Sequence, residues 1–384
     1  MPVLVQDLPM PALLVDVARL ASNLDRMQAA GDAAGVALRP HAKTHKTAEV
    51  ARMQLERGAR GLTVATLDEA EAFAATGVRD LRLATPVAGP QKLARIAALL
   101  DAGVRVSFTV DTEAGARLAS AAFAGRDVPV DVLVEIDTGQ HRCGVPPDEA
   151  VALGLAVAAL PGLRLVGVLT HGGHGYDGPT PDEAPADALR RAMASERDGL
   201  LDAAARLGAA GLLDPATAEV SLGSTPTLSV FEGTTRDGFR VTEWRPGAYV
   251  FGDAQQVALG ALKLRDCALL AVATVVSKRR FDDGTEQAII DAGRKILTTD
   301  GGAGVHGFGT VLYSPRTMVA NMHAWMPRIS EEHGTVETPG GLIYDVGDPV
   351  FVVPNHACVA VATRRALFAV EGDEVIGEWP VLAR

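Results

Sequence analysis

From residue 12 to about residue 260, short aliphatic runs alternate with Ala-rich amphipathic stretches, seven or eight times in succession. The runs are Ala37–Pro40, Gly61–Ala65, Leu81–Ala84, Arg105–Val110, Val130–Ile136, Leu163–Thr170 and Glu219–Leu222. Among the stretches between them, Val17–Ala34, Leu67–Thr76, Gln91–Ala102 and Thr112–Phe123 carry a helical period. Buried aliphatic runs each followed by a helix predict parallel strands with crossover connections. That many units predicts an α/β fold of the (β/α)8 TIM-barrel type rather than an open sheet. The proline-bearing segment Asp177–Ala186 reads as a surface loop within it.

After Gly260 the texture changes. Leu269–Val276, Glu286–Ile290, Gly341–Tyr344, Pro349–Val353, Cys358–Ala362 and Ala366–Val370 read as strands without helices between them. They are separated by turn residues such as Asp282-Asp283-Gly284 and Gly372-Asp373. An all-β C-terminal domain is expected. Acidic residues outnumber basic ones, 47 to 36, which argues against nucleic acid or an anionic membrane as partner. No apolar run of about 18 residues is present, so no membrane span is expected. The N-terminal segment lacks a secretory pattern, and three scattered cysteines cannot frame a disulfide scaffold. A cytoplasmic enzyme is the expectation.

Chemistry concentrates in five places. In Arg39-Pro40-His41-Ala42-Lys43-Thr44-His45, Lys43 falls at the end of the first barrel strand, where barrels gather their reactive groups. A desolvated lysine amine is a nucleophile and a base, and His41 and His45 add polar neighbours. In Glu135-Ile136-Asp137-Thr138-Gly139-Gln140-His141-Arg142, the arginine is placed either to donate to an anionic ring oxygen or to pair with Asp137 or Glu135. Thr170-His171-Gly172-Gly173-His174-Gly175-Tyr176 offers His171, His174 and Tyr176 for proton exchange or pocket shaping. The strand ending in Gly223-Ser224-Thr225 exposes amides and hydroxyls suited to a phosphate, and Gly247 and Tyr249 on the next turn can close the same cradle. Finally, His356-Ala357-Cys358 on a strand would point two ligands to one face. A thiolate with an imidazole favours zinc, with other first-row ions possible.

In this order, and together with Pro354-Asn355-His356-Ala357-Cys358, these motifs resemble the D-serine dehydratase-like group. That group is related to D-threonine aldolases and, more remotely, to alanine racemases among fold-type III pyridoxal-phosphate enzymes. The resemblance spans nearly the whole chain. It implies a cofactor-binding barrel over residues 18–260 and a β-domain made of 1–17 plus 261–384. It further implies that Lys43 forms the Schiff base with pyridoxal 5'-phosphate, and that Arg142 meets the phenolic oxygen of the cofactor. Gly223, Ser224 and Thr225, helped by Gly247 and Tyr249, would hold the phosphate. His356 and Cys358 would bind a divalent metal, zinc first, with manganese, cobalt or magnesium as alternatives. A homodimer acting on a small D-β-hydroxy amino acid is implied.

The His-X-Cys pair resembles dehydratases, whereas aldolases of the group carry an aspartate at the second ligand. Elimination of water and ammonia to a 2-oxo acid is therefore expected, from D-serine or D-threo-3-hydroxyaspartate. Retro-aldol cleavage to glycine and an aldehyde is the alternative, with racemisation or non-catalytic carriage of the cofactor behind it. Arg294 stands where related dehydratases often carry tryptophan, a position expected to face the substrate. An arginine there would favour an extra carboxylate, or would be an exposed structural residue. His333 lies in a further matching segment, Ser330–Gly334.

Overall fold

The computed structural model describes residues 3–339 and 344–383. Eight parallel strands form one sheet in the order Ala37–Leu38, Glu243–Trp244, Glu219–Leu222, Leu163–Leu169, Val130–Glu135, Arg105–Val110, Asp80–Pro86 and Leu62–Val64. The first and last of these meet through a parallel bridge between His41 and Thr63. Backbone bonds from Arg60 N to Leu38 O and from Thr63 N to Pro40 O, both 2.8 Å, complete that seam and close the barrel.

Helices pack outside it because one alternate set of strand residues is apolar: Leu81, Val106, Phe108, Val132, Val134 and Val220 are buried in one cluster with Phe73, Ile96 and Phe123. The other set points inward and is rich in charged and hydroxyl side chains, where barrels usually carry branched aliphatics. Arg39 and Arg82 are both 0% exposed. Arg39 Nε donates to Glu243 at 2.7 Å, and Arg82 donates to the other oxygen of Glu243 at 2.6 Å. Asp80 and Glu219 satisfy the remaining guanidinium edges.

Ala12–Asp16 does not belong to the barrel. It lies between Ala366–Glu371, to which it is parallel, and Leu269–Arg280, to which it is antiparallel, inside an eleven-stranded sheet. The Asp16 carboxylate then caps the helix Val17–Ala34 by accepting from Arg19 N at 2.9 Å, and Gly35 at φ +64° ends it. Leu20 and Leu24, one turn apart, pack with Leu13, Val15, Leu269, Tyr249 and Phe251. The first helix and the turn around residue 250 thereby tie barrel to β-sheet.

The C-terminal part differs from expectation in three respects. Leu269 begins a strand that continues to Arg280, because its polar second half pairs with Glu286–Ile290 while facing solvent. Thr310–Ser314, Val319–Ala320, Trp325–Ile329 and Gly334–Thr338 are further strands. Two short helices, Arg294–Leu297 and Ala357–Ala362, interrupt the β-structure. The second replaces the expected strand Cys358–Ala362: Asp253 accepts from Ala357 N at 3.0 Å and starts a helical turn instead. The expected strand Gly341–Tyr344 falls largely outside the described residues. Among the described residues no helix is long and apolar enough to cross a membrane.

Candidate active site

Two adjoining cavities, of about 300 and 350 Å³, open at the C-terminal mouth of the barrel and share His41, Lys43, His171 and Arg245. Lys43 reaches them from a single tight turn, Ala42–Thr44, that follows the first strand. That turn is pinned twice: His41 N donates to Pro246 O at 2.8 Å, and His41 Nδ1 accepts from Lys43 N at 3.4 Å. Gly247 lies against it so closely that a Cβ there would come 2.7 Å from Thr44 Oγ1. The sequence thus places glycine where the Thr44 hydroxyl leaves no room for a side chain.

Glu135, Arg142 and Cys143 line the inner cavity. Asp137 accepts from the Gly139 and His141 amides, both at 3.0 Å, and pairs with the His141 ring at 2.8 Å. Asp137 is thereby spent, and Arg142 is left at the cavity edge. Burial pushes the Glu135 carboxyl up, against a hydrogen bond from Thr109. Burial, reinforced by the charge of Lys43, holds His41 and His171 well below the usual imidazole range. Both rings are therefore neutral acceptors or donors rather than cations.

Ser224, Thr225, Gly247, Tyr176, Asp300, His356 and Cys358 line the outer cavity. Gly223 adopts φ +118°, a conformation that favours glycine, and its amide donates to Glu196 at 2.8 Å. Glu196, 0% exposed, also accepts from Thr227 Oγ1 at 2.8 Å. It braces the loop from beneath. The first amides of the short turns Thr225–Leu228 and Ala248–Val250 lack acceptors in their own helices and border the cavity. Glycine at 223 and 247, orphan amides and the cations Lys43, Arg142 and Arg245 fit a phosphorylated aromatic cofactor.

Thr44 Oγ1 lies 3.1 Å from Cys358 Sγ, so the lysine turn and the His-X-Cys segment abut. The pair does not sit on a strand. His356 precedes a helix that carries Cys358 in its first turn, and the two side chains still line the same cavity. Burial alone would raise the Cys358 thiol, but His356 and Lys43 bring it below its ordinary value. His356 is raised to about 9: burial works against this, and Cys358 and Asp300 outweigh it. A thiolate beside an imidazole is a soft two-donor set that fits a divalent ion of the zinc type.

Several expected residues stand elsewhere. The Tyr249 phenol is buried against Gln54 Nε2 at 3.0 Å, and only its amide touches the cradle, donating to Thr225 Oγ1 at 3.0 Å. His174 lines neither cavity; its Nε2 lies 3.1 Å from Ala192 O, behind the loop that carries His171. His45 is buried on the edge of Phe73, with its pKa pushed down by burial to about 3. Arg294 is exposed beside Glu331 at 3.7 Å and lines neither cavity. His333 is also exposed. Tyr176 does reach the outer cavity, its hydroxyl accepting from Gln256 at 3.3 Å, with burial pushing its pKa up.

Arg245, Glu196 and Asp300 are the groups that sequence reasoning did not single out. Arg245 follows Glu243 at strand alternation, a signal the sequence does contain. Asp300 has none, because its partner His356 lies 56 residues away.

The family model for the N-terminal domain of alanine racemase matches residues 15–255, and a serine dehydratase domain model matches residues 268–370. The chain belongs to this alanine racemase-like family of pyridoxal-phosphate enzymes. It is similar to D-threo-3-hydroxyaspartate dehydratase of Delftia sp. (36% identity, covering 96% of each chain). It is also similar to D-threonine aldolase of Arthrobacter sp. (32%, covering 97% of this chain and 92% of that one). The solved structure of the Delftia sp. HT23 dehydratase matches with a TM-score of 0.88 at 35% identity over 99% of both chains. A cysteine-to-alanine mutant of D-threo-3-hydroxyaspartate dehydratase, solved in a metal-free form, matches equally well, with a TM-score of 0.88 at 34% identity over 100% of both chains.

Proposed function

We propose that this protein is a pyridoxal-phosphate- and metal-dependent lyase that eliminates water from a D-β-hydroxy amino acid, leaving an enamine that takes up water and releases ammonia to give a 2-oxo acid. The proposed substrates are D-threo-3-hydroxyaspartate or D-serine. The observation that carries this reading is the shared cavity of Lys43, His356 and Cys358. The cofactor, when bound, stabilises negative charge at the substrate α-carbon, and a divalent ion, zinc first, polarises the β-hydroxyl.

The chain's own groups do the rest. Lys43 would anchor the cofactor, and its amine would serve as the base for the α-proton. His356 and Cys358, which line the same cavity as Lys43, would hold the ion. Ser224, Thr225 and Gly247 would receive the phosphate, on a loop turned at Gly223 whose own amide is held by Glu196, and Arg142 would meet the ring oxygen. His171, kept neutral, and Tyr176, kept protonated, shape the space between. A cytoplasmic homodimer is part of the proposal. Exposed Tyr313, Met322 and Trp325 on the β-domain and three unpaired cysteines are consistent with it.

Product analysis tests the reading. D-threonine should yield 2-oxobutanoate and ammonia, and D-serine pyruvate and ammonia, with both lost after chelation. Glycine and acetaldehyde from D-threonine would instead establish aldol cleavage.

A further inference from the structure

An imidazole offers a metal only one nitrogen, and the partner of its other nitrogen decides which. At His356 that partner is Asp300, whose Oδ2 lies 2.6 Å from Nδ1. Asp300 lies outside the His-X-Cys motif, in the loop after the Arg294–Leu297 helix, and it lines the same cavity. The loop is held by the residue next to the histidine. Asn355, 0% exposed, donates its amide to Asp300 O and to Gly307 O, both at 2.9 Å. Thr298, at φ +66°, turns back so that its hydroxyl accepts from Asp300 N at 3.2 Å. One neighbour of His356 thus fastens the backbone whose side chain grips His356.

We propose that Asp300 is the positioning residue of the metal centre. It accepts Nδ1–H of His356 and thereby presents Nε2 to the ion beside Cys358. The inference rests on the reading that His356 and Cys358 are the ligands. Asp300 is assigned as the partner of a ligand rather than a ligand because its Oδ2 is already committed to His356 Nδ1. A carboxylate there makes the imidazole a stronger donor. With the Cys358 thiolate it also supplies two negative charges opposite a divalent ion.

The test is cobalt(II) binding to cofactor-loaded, metal-stripped protein, followed through the thiolate-to-cobalt absorption band. The unaltered protein should bind, and His356→Ala should not. Asp300→Ala should raise the cobalt Kd by about 10–100-fold, the usual effect of removing such a partner. Asp300→Asn, which keeps an acceptor without the charge, should fall between. The cofactor's visible absorption and the Tm should stay as in the unaltered protein, which a merely structural role would not allow. An Asp300→Ala Kd within about twofold of the original would overturn the proposal. So would abolition of the band to the level of His356→Ala, because that would make Asp300 a ligand. Failure of the unaltered protein to bind cobalt would strike the metal reading itself.

Discussion

At the barrel floor, Arg39 and Arg82 face Glu243, Glu219 and Asp80, and every buried charge meets its opposite. At the mouth, Lys43, Arg142 and Arg245 crowd around His41 and His171, with Glu135 as the buried carboxylate among them. Both levels are desolvated, yet their titration differs. Burial alone would raise Glu243, but the charges of Arg39 and Arg82 hold it far below the usual carboxylate range. Arg245, fixed by Ser221 at 2.6 Å and by Thr170 O, is pushed down by burial to about 10. Burial therefore does not by itself set protonation; partnering does. The floor is a closed ion network that holds the barrel together. The mouth is left cationic, and a phosphorylated cofactor supplies the missing negative charge.

Substitutions should separate the two levels. Lys43→Ala is expected to lower turnover by about 10²–10⁴-fold while leaving the urea midpoint unchanged; a shifted midpoint would mean that the mouth also carries stability. Glu243→Ala should do the reverse. It takes the shared carboxylate from two buried guanidinium groups, leaving Arg39 with Asp80 and Arg82 with Glu219, and the loss is about 3 kcal/mol in urea denaturation. Gly247→Ala lies between the levels: its methyl meets Thr44 Oγ1, an overpacking worth about 1–3 kcal/mol, and cofactor affinity should fall with it in an absorbance titration.

The smallest effect is in pH. His171 has a folded pKa below its ordinary 6.5, so the unfolded chain binds the proton first and stability falls as pH drops below that value. Glu243 has the same sign, but its loss starts only below about 4.5. His41 and His45 are depressed in the same way, so His171→Gln should make the stability curve between these two values shallower without levelling it, and leave the steeper acid limb intact, as measured by urea midpoints across that range.

Much of the barrel was legible because its signals are local. Arg105–Val110 and Glu219–Leu222 begin and end where the aliphatic runs do. Val17–Ala34 is bounded by an Asp cap and a Gly stop. The two-residue strand Glu243–Trp244 carries no period, and the His356–Cys358 helix reads as a strand because its aliphatic residues suit either structure. Lys43 and the two metal-type ligands were legible as residue types. Their convergence, the brace at Glu196 and the Asp300 contact depend on pairings between distant segments that leave no pattern in the chain.

The most direct measurement is diffraction from crystals grown with pyridoxal phosphate and cobalt, using the anomalous signal at the cobalt edge. One metal peak between His356 and Cys358 is predicted, in the same cavity as cofactor density continuous with the Lys43 side chain. A peak elsewhere, or a Lys43 amine free in solvent, would contradict the shared site on which the proposed elimination depends.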